Sequence, residues 1–308
     1  MNHCPITYEL CPQKYSKNGL KLLSRTLVYL HDFPFTPKEQ IQLASEYATK
    51  LSIQGVQPKL SVILDVKKEG FEIVEKNGRY ILKPPHHIFE EVPQNEDLSM
   101  KLAAIVGIEV PLHGMIYNID QSLTYFIKRF DRVTKNKKIG VEDFSQLLEY
   151  SRETKYESSM EKVASVIETH CTFPLLEKIK LFRRVLFNFL IGNEDMHLKN
   201  FSLIQRDHKV ELSPAYDLLN TTIILKAKEE IALPIRGKKN RLTHADLFDY
   251  FGKERLGLPP AILESELLRF EHSLEAWKML ISQSFLSQKS QERYQELIME
   301  RWRRLKLK

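Results

Sequence analysis

The sequence predicts an α+β fold in two lobes, and three observations lead to it. Short apolar runs of strand type, LSVILDV at 60–66 and FEIVEKNGRYILK at 71–83, fall within the first third of the chain. Beyond about residue 130 the apolar residues recur at helical spacing instead, in EDFSQLLEY, SMEKVASVIETH, LLEKIKLFRRVLFNFLIG and the stretches from 259 to the end. No internal repeat or low-complexity linker interrupts the change. We therefore expect a small sheet-rich lobe over 1–130 and an all-helical lobe over 131–308, sharing a cleft, with the chain crossing between them at Phe126 to Asp131.

Within the first lobe, Thr36-Pro37-Lys38-Glu39 supplies an N-cap, a proline at the first helical position and a capping-box glutamate, so a helix begins there. Asn77-Gly78 has the form of a two-residue hairpin turn between the two halves of 71–83. A second helix is expected from about Asp97 to Val106, stopped by Gly107, followed by a strand pair around 110–130 that ends in LTYFIKRFDR.

Composition excludes several classes. The chain has 308 residues, of which 43% are hydrophobic and 28% charged, enough for a sizeable core. No apolar run approaches the roughly 18–20 residues of a membrane span. The start, MNHCPITYELC, has no signal-peptide core. A cytoplasmic location without a membrane partner is the expectation. Cys4, Cys11 and Cys171 are odd in number and lack zinc or CxxC spacing, so they read as buried thiols. The net charge of +6 is spread along the chain among acidic residues. Only RWRRLKLK at 301–308 is locally of one sign, and it reads as the solvated end of a helix rather than a nucleic-acid patch.

The most informative stretch is NFLIGNEDMHLKNFSLI at 188–204, where an apolar helix ends in a knot of polar and charged residues. Asp195 and Asn200 stand five apart just after that helix, and Asp217 follows in LSPAYDLLN. Phosphoryl transfer from ATP needs these residue types: one carboxylate to accept the proton of the attacking hydroxyl, and an amide oxygen with a second carboxylate to hold Mg²⁺ against the phosphates. Asp-x4-Asn is also the catalytic-loop spacing of protein kinases. Upstream, Lys83 at the end of YILK can neutralise phosphates, and Ser52 to Lys59 forms a loop with one glycine, Gly55, between a helix and a strand. Taken singly, each feature has a plainer reading: Asp195 or Asp217 as a cap, Lys83 as a surface lysine before Pro84-Pro85, His197 and Lys199 as solvated side chains. Their order along the chain, glycine loop, strand lysine, crossover, catalytic loop and metal aspartate, is that of a bilobal kinase.

At these same residues the sequence resembles the HipA family of serine/threonine kinase toxins, and most of all its short HipT members. The matching stretches are LSIQGVQPKL (51–60), YILKP (80–84), IKRFDR (127–132), KYES (155–158), LIGNEDMHLKNFSL (190–203) and LSPAYDLLN (212–220). The resemblance implies a protein-kinase-like, HipA-like fold and an ATP- and Mg²⁺-dependent kinase with Asp195 as the base and Asn200 and Asp217 on metal. Gln54, Gly55, Val56, Gln57, Pro58 and Lys59 would cover the phosphates and Lys83 would bind them, while His197 and Lys199 would line the same site. Lys128, Arg129 and Phe130 would sit near adenine. Ser52 matches the serine that family members phosphorylate in their own loop, an off-switch because a phosphate there would repel ATP. Gln54 stands where HipT-like relatives carry a second serine, so Ser52 alone would serve. The implied partners are a protein substrate, an aminoacyl-tRNA synthetase, and a HipB-like or HipS-like antitoxin, with no direct nucleic-acid contact. The residues leave two other readings open: an ATP-binding regulator without turnover, and a kinase of a small molecule or lipid.

Overall fold

A computed structural model describes residues 2–51, 58–133, 137–151, 154–225 and 229–307, with 48–51 as backbone only. The chain divides into two compact units, one comprising Met1–Leu98, Pro111–Lys138 and Gln283–Leu286, the other Ser99–Val110, Ile139–Ser282 and Ser287–Lys308. The expected α+β class is what forms.

The first unit opens with the short strands β1 (Asn2–His3) and β2 (Leu10–Cys11) and helices α1 (Lys17–Leu23) and α2 (Pro37–Leu51). Thr36 caps α2 reciprocally: its N–H donates to Glu39 Oε2 at 2.7 Å, and the Glu39 N–H donates back to Thr36 Oγ1. The main sheet is antiparallel with strand order β4-β3-β5-β7-β6, built from β3 (Leu60–Asp65), β4 (Gly70–Ile73), β5 (Tyr80–Lys83), β6 (His113–Tyr117) and β7 (Leu123–Lys128). Helix α3 (Val92–Ile105) lies between β5 and β6 in sequence. It begins five residues before the expected Asp97, because Pro93 sits in its first turn, where a proline fits.

The hairpin expected across 71–83 is not a hairpin. β4 and β5 both pair with β3, on opposite sides of it, and the true tight turn joins β3 to β4. The Asp65 carboxylate fixes that turn by accepting from the N–H groups of Lys67 and Lys68, and Glu69 takes a positive φ of 50°. Asn77 does adopt the left-handed region, with φ 61°, but the segment after β4 runs over the end of β3. A Cβ on Gly78 would lie 2.0 Å from Ser61 Oγ and 3.1 Å from the Val62 nitrogen, so a larger residue there would make Ser61 move. Leu60, Val62, Leu82 and Phe126 form the core with Phe71 and Tyr80, whose rings stand 5.3 Å apart. Gln40 ties α2 to the sheet, donating to Asn118 Oδ1 at 2.8 Å and accepting from Thr124 Oγ1 at 2.9 Å.

The second unit is not all helical, as had been expected. It holds α4 (Phe144–Leu147), α5 (Met160–His170), α6 (Pro174–Ile191), α7 (Thr221–Leu225), a π-helical segment Ala245–Arg255, α8 (Pro260–Ser282) and α9 (Gln288–Arg304). It also carries a three-stranded antiparallel sheet of β8 (Val141–Asp143), β9 (Ser202–Arg206) and β10 (Lys209–Leu212). Asp207 and His208, both at positive φ, make the two-residue turn between β9 and β10, a hairpin that needs no glycine signal in the sequence. The helical core is aromatic: Trp277 meets Phe187, Phe270 and Trp302 edge-on.

The basic end of the chain is solvated only in part: Arg303 and Lys306 are exposed, but two other arginines turn inward. Arg301 is buried, donates to the Phe189 carbonyl and lies 5.0 Å from that ring, and burial lowers its pKa to about 10. Arg304 is ion-paired with Glu230 and Glu300. The three cysteines are free and buried as expected, and burial pushes the Cys171 thiol up to about 12. No described helix is long and apolar enough to cross a membrane.

Helix α6 ends at Gly192 in the left-handed conformation, φ 77°, with its N–H donating to the carbonyls of Asn188 and Phe189. A Cβ there would stand 2.4 Å from Leu297 Cδ2 and 2.8 Å from Thr222 Oγ1. Gly192→Ala therefore meets both strain and a clash, and urea unfolding is expected to show a loss of about 1–3 kcal/mol.

Candidate active site

In the first unit, β5 delivers one functional side chain. Strand alternation puts Leu82 into the core and Lys83 on the opposite face, where Lys83 is only 3% exposed. Its ammonium lies 2.5 Å from Glu96 Oε1, on α3, and 5.6 Å from the centre of the Tyr125 ring. Glu96 is itself buried, as is the neighbouring Asp97, which accepts from or pairs with His113 Nδ1 at 2.8 Å. Lys128 is the last residue of β7, with its N–H on the Leu112 carbonyl. Arg129 makes a fork to both oxygens of Asp131, at 2.9 and 2.7 Å, and Phe130 is half-buried. Pro58 and Lys59 lead into β3, both half-buried. Ser52, Gln54, Gly55, Val56 and Gln57 lie outside the described residues.

In the second unit, Gly192 turns the chain out of α6 and Asn193 holds the start of the loop: its N–H donates to the Asn188 carbonyl, and its side chain donates to Asn188 Oδ1 at 2.8 Å. The Asn193 side-chain oxygen in turn accepts the Asp195 N–H at 3.2 Å. The Tyr156 hydroxyl donates to Asp195 Oδ1 at 2.5 Å. His197 is buried, and its Nε2 lies 2.7 Å from the Lys155 ammonium. An ammonium can only donate, so Nε2 is the acceptor and His197 is neutral with its proton on Nδ1. Burial is the main cause of the lowered His197 pKa, with the Lys155 charge acting the same way against the pull of Asp195 and Asp217.

A single 3-10 turn, Leu198–Asn200, follows, with Asn200 buried and Lys199 half-buried. The Lys199 carbonyl accepts from the Tyr216 hydroxyl at 2.9 Å, which ties this turn to the segment carrying Asp217. Asp217 holds a positive φ of 54°, a conformation Asp tolerates better than most residues. Glu194, beside Asp195, has its carboxyl pushed up by burial and by the Asp195 charge.

Asn200 and Asp217 offer an amide and a carboxylate oxygen, the hard donors Mg²⁺ takes. Mg²⁺ commonly uses one or two carboxylates and completes its shell with water and substrate phosphates. Among the described residues no cluster of three or more His, Cys, Asp or Glu is placed to hold a metal ion. Sequence reasoning did not single out Glu96, and it gave Lys155 and Tyr156 no role although both lie in the matching stretch KYES. Pro93 in the first turn of α3 was the available signal for Glu96, since it moves the helix start upstream and puts Glu96 on the helix.

Comparison with known proteins gives the same family as the motifs. The family model described as HipA-like C-terminal domain matches residues 51–277, and the chain belongs to that family. A Haemophilus influenzae protein named as a kinase is 28% identical over 94% of this chain and 93% of its own length. The Shewanella oneidensis serine/threonine-protein kinase toxin HipA is 26% identical, over 71% of this chain and 54% of that one. The chain thus spans nearly all of the first and about half of the second. Among solved structures, Shewanella oneidensis HipA, from a complex with HipB and operator DNA, superposes with TM-score 0.70 at 23% identity, covering 91% of this chain and 73% of that one. The Helicobacter pylori proinflammatory kinase CtkA superposes with TM-score 0.54 at 15% identity, over 76% and 88%. The fold is therefore that of HipA and CtkA.

Two charges buried together are costly to separate, because the survivor keeps its desolvation cost without its partner. Glu96→Ala is expected to lower stability by about 3–5 kcal/mol in chemical denaturation, and Lys83→Met added to it is expected to recover part of that loss.

Proposed function

We propose that this chain is an ATP- and Mg²⁺-dependent serine/threonine protein kinase, the toxin of a HipA-type toxin–antitoxin system. The observation that carries the reading is the buried Lys83–Glu96 pair, joining a strand lysine to a helix glutamate, in a chain of this family. Protein kinases use such a pair to hold the lysine for the α- and β-phosphates.

In this reading Lys83 binds the phosphates, with Gln54, Gly55, Val56, Gln57, Pro58 and Lys59 covering them and Lys128, Arg129 and Phe130 near the adenine. His197 and Lys199 line the phosphate end. Asn200 and Asp217 hold Mg²⁺, which neutralises charge on the phosphates when bound. Asp195 accepts the proton of a serine or threonine hydroxyl as that oxygen bonds to the γ-phosphorus, and the bond to the bridging oxygen breaks to release ADP. Ser52 is the chain's own acceptor, and its phosphate, about −1.5 to −2 charges, switches the enzyme off by repelling nucleotide.

The protein substrate is proposed to be an aminoacyl-tRNA synthetase, following the family resemblance. A HipB-like or HipS-like antitoxin is the proposed partner, supported by the HipB-bound state of the Shewanella structure.

The test is incorporation of labelled phosphate from ATP with Mg²⁺. The purified chain is expected to label itself, and Asp195→Asn to lose this by at least about 100-fold while its unfolding transition is unchanged. Equal labelling by the two proteins would remove Asp195 as the base. Ser52→Ala is expected to lose most of the label and to keep its nucleotide affinity during incubation with ATP, where the unchanged chain loses affinity with time.

A further inference from the structure

Tyr156 has no role in the reading above, yet its hydroxyl donates to the carboxylate of Asp195, at 2.5 Å from Oδ1. A phenol donating to a carboxylate is a charge-assisted bond, short and directional. The ring that carries it is fixed from two directions. His197 meets it edge-on, with centroids 5.0 Å apart and planes at 85°, and the Lys155 ammonium stands 4.8 Å from its centre. Lys155 and His197 are themselves joined at 2.7 Å, so the two side chains that hold the ring also hold each other, while Tyr156 stays 41% exposed. The backbone supports the same arrangement, since the Leu198 N–H donates to the Lys155 carbonyl.

We propose that Tyr156 is a positioning residue for the base: it holds Asp195 through Oδ1 and leaves the second carboxylate oxygen to receive the acceptor's proton. The proposal rests on the kinase reading and adds to it the part that sets the carboxylate's orientation. A free aspartate side chain rotates about two bonds, and a base must stand within hydrogen-bond reach of the hydroxyl it deprotonates. A base oriented by a third group is the general arrangement for activated nucleophiles. Here the third group is neutral, so it orients Asp195 without neutralising it. The phenol stays protonated throughout the working pH range, because burial and then the Asp195 carboxylate push its pKa well above the ordinary value.

The test is Tyr156→Phe, which keeps the ring and its contacts with His197 and Lys155 and removes only the oxygen. Self-labelling is followed at fixed protein concentration over a range of Mg·ATP, giving a maximal rate and a half-saturating ATP concentration. The maximal rate is expected to fall by about 10-fold or more, towards the roughly 100-fold that misplacing a group by an ångström costs. The half-saturating ATP concentration and the thermal midpoint are expected to stay unchanged, a split that a merely structural tyrosine would not give. An unchanged maximal rate overturns the proposal. So does a faster one, which would make the phenol a plug in the acceptor's place. No labelling by the unchanged chain would remove the kinase reading, and this role with it, whereas labelling at equal rates by both proteins removes this role alone.

Discussion

The lysine ammonium at the end of β5 is the constraint on which the rest depends. Lys83 is almost without solvent, and an isolated ammonium in such a place would cost several kcal/mol or give up its proton. Glu96 at 2.5 Å keeps it charged and fixed. The pair can form because α3 begins at Val92 and so carries Glu96, and because β5 sits inside the sheet between β3 and β7 rather than at an edge. A hydrophobic pair of similar size would serve stability as well or better. Stability alone therefore does not account for the pair, and the phosphate-binding role proposed for Lys83 would.

The second unit answers the question raised by charge at the end of an apolar helix. α6 is buried along most of its length, and the left-handed Gly192 redirects the chain at the point where the apolar run ends. Asn188, the last polar residue inside the helix, pairs with Asn193 and so anchors a loop whose polar atoms would otherwise have to find water. From there Asp195, His197 and Asn200 follow at short intervals, and Tyr216 fastens the segment bearing Asp217 to the Lys199 carbonyl. The neutral state of His197 follows from Lys155, so a cation sets the tautomer of the imidazole beside the proposed base.

The sequence made much of this legible where chemistry is local. The Thr36–Glu39 box, the end of an apolar helix just before Asp195 and the strand pair around 110–130 depend on residues a few positions apart, and all formed as expected. Strand order was not legible: Asn77-Gly78 carries a hairpin signal, but the turn that closes a hairpin is made by Asp65 and Glu69, and β3 comes between β4 and β5. The β9–β10 hairpin hid behind Asp207-His208, which lacks glycine. The partners of the site residues, Glu96 for Lys83 and Tyr156 for Asp195, stand 13 and 39 positions away, and no spacing rule reaches that far. Arg301, read as solvated from its neighbours in sequence, is held by a carbonyl 112 positions earlier.

The central claim is that Lys83 is kept charged and buried in order to bind phosphate. Calorimetric titration of Mg·ATP into the unchanged chain and into Lys83→Met measures this directly. The account predicts saturable binding to the unchanged chain and a loss of affinity of at least about 10-fold in the variant, the roughly 1.4 kcal/mol or more expected of a charge-assisted contact to phosphate. Equal affinity in a folded Lys83→Met protein would contradict it.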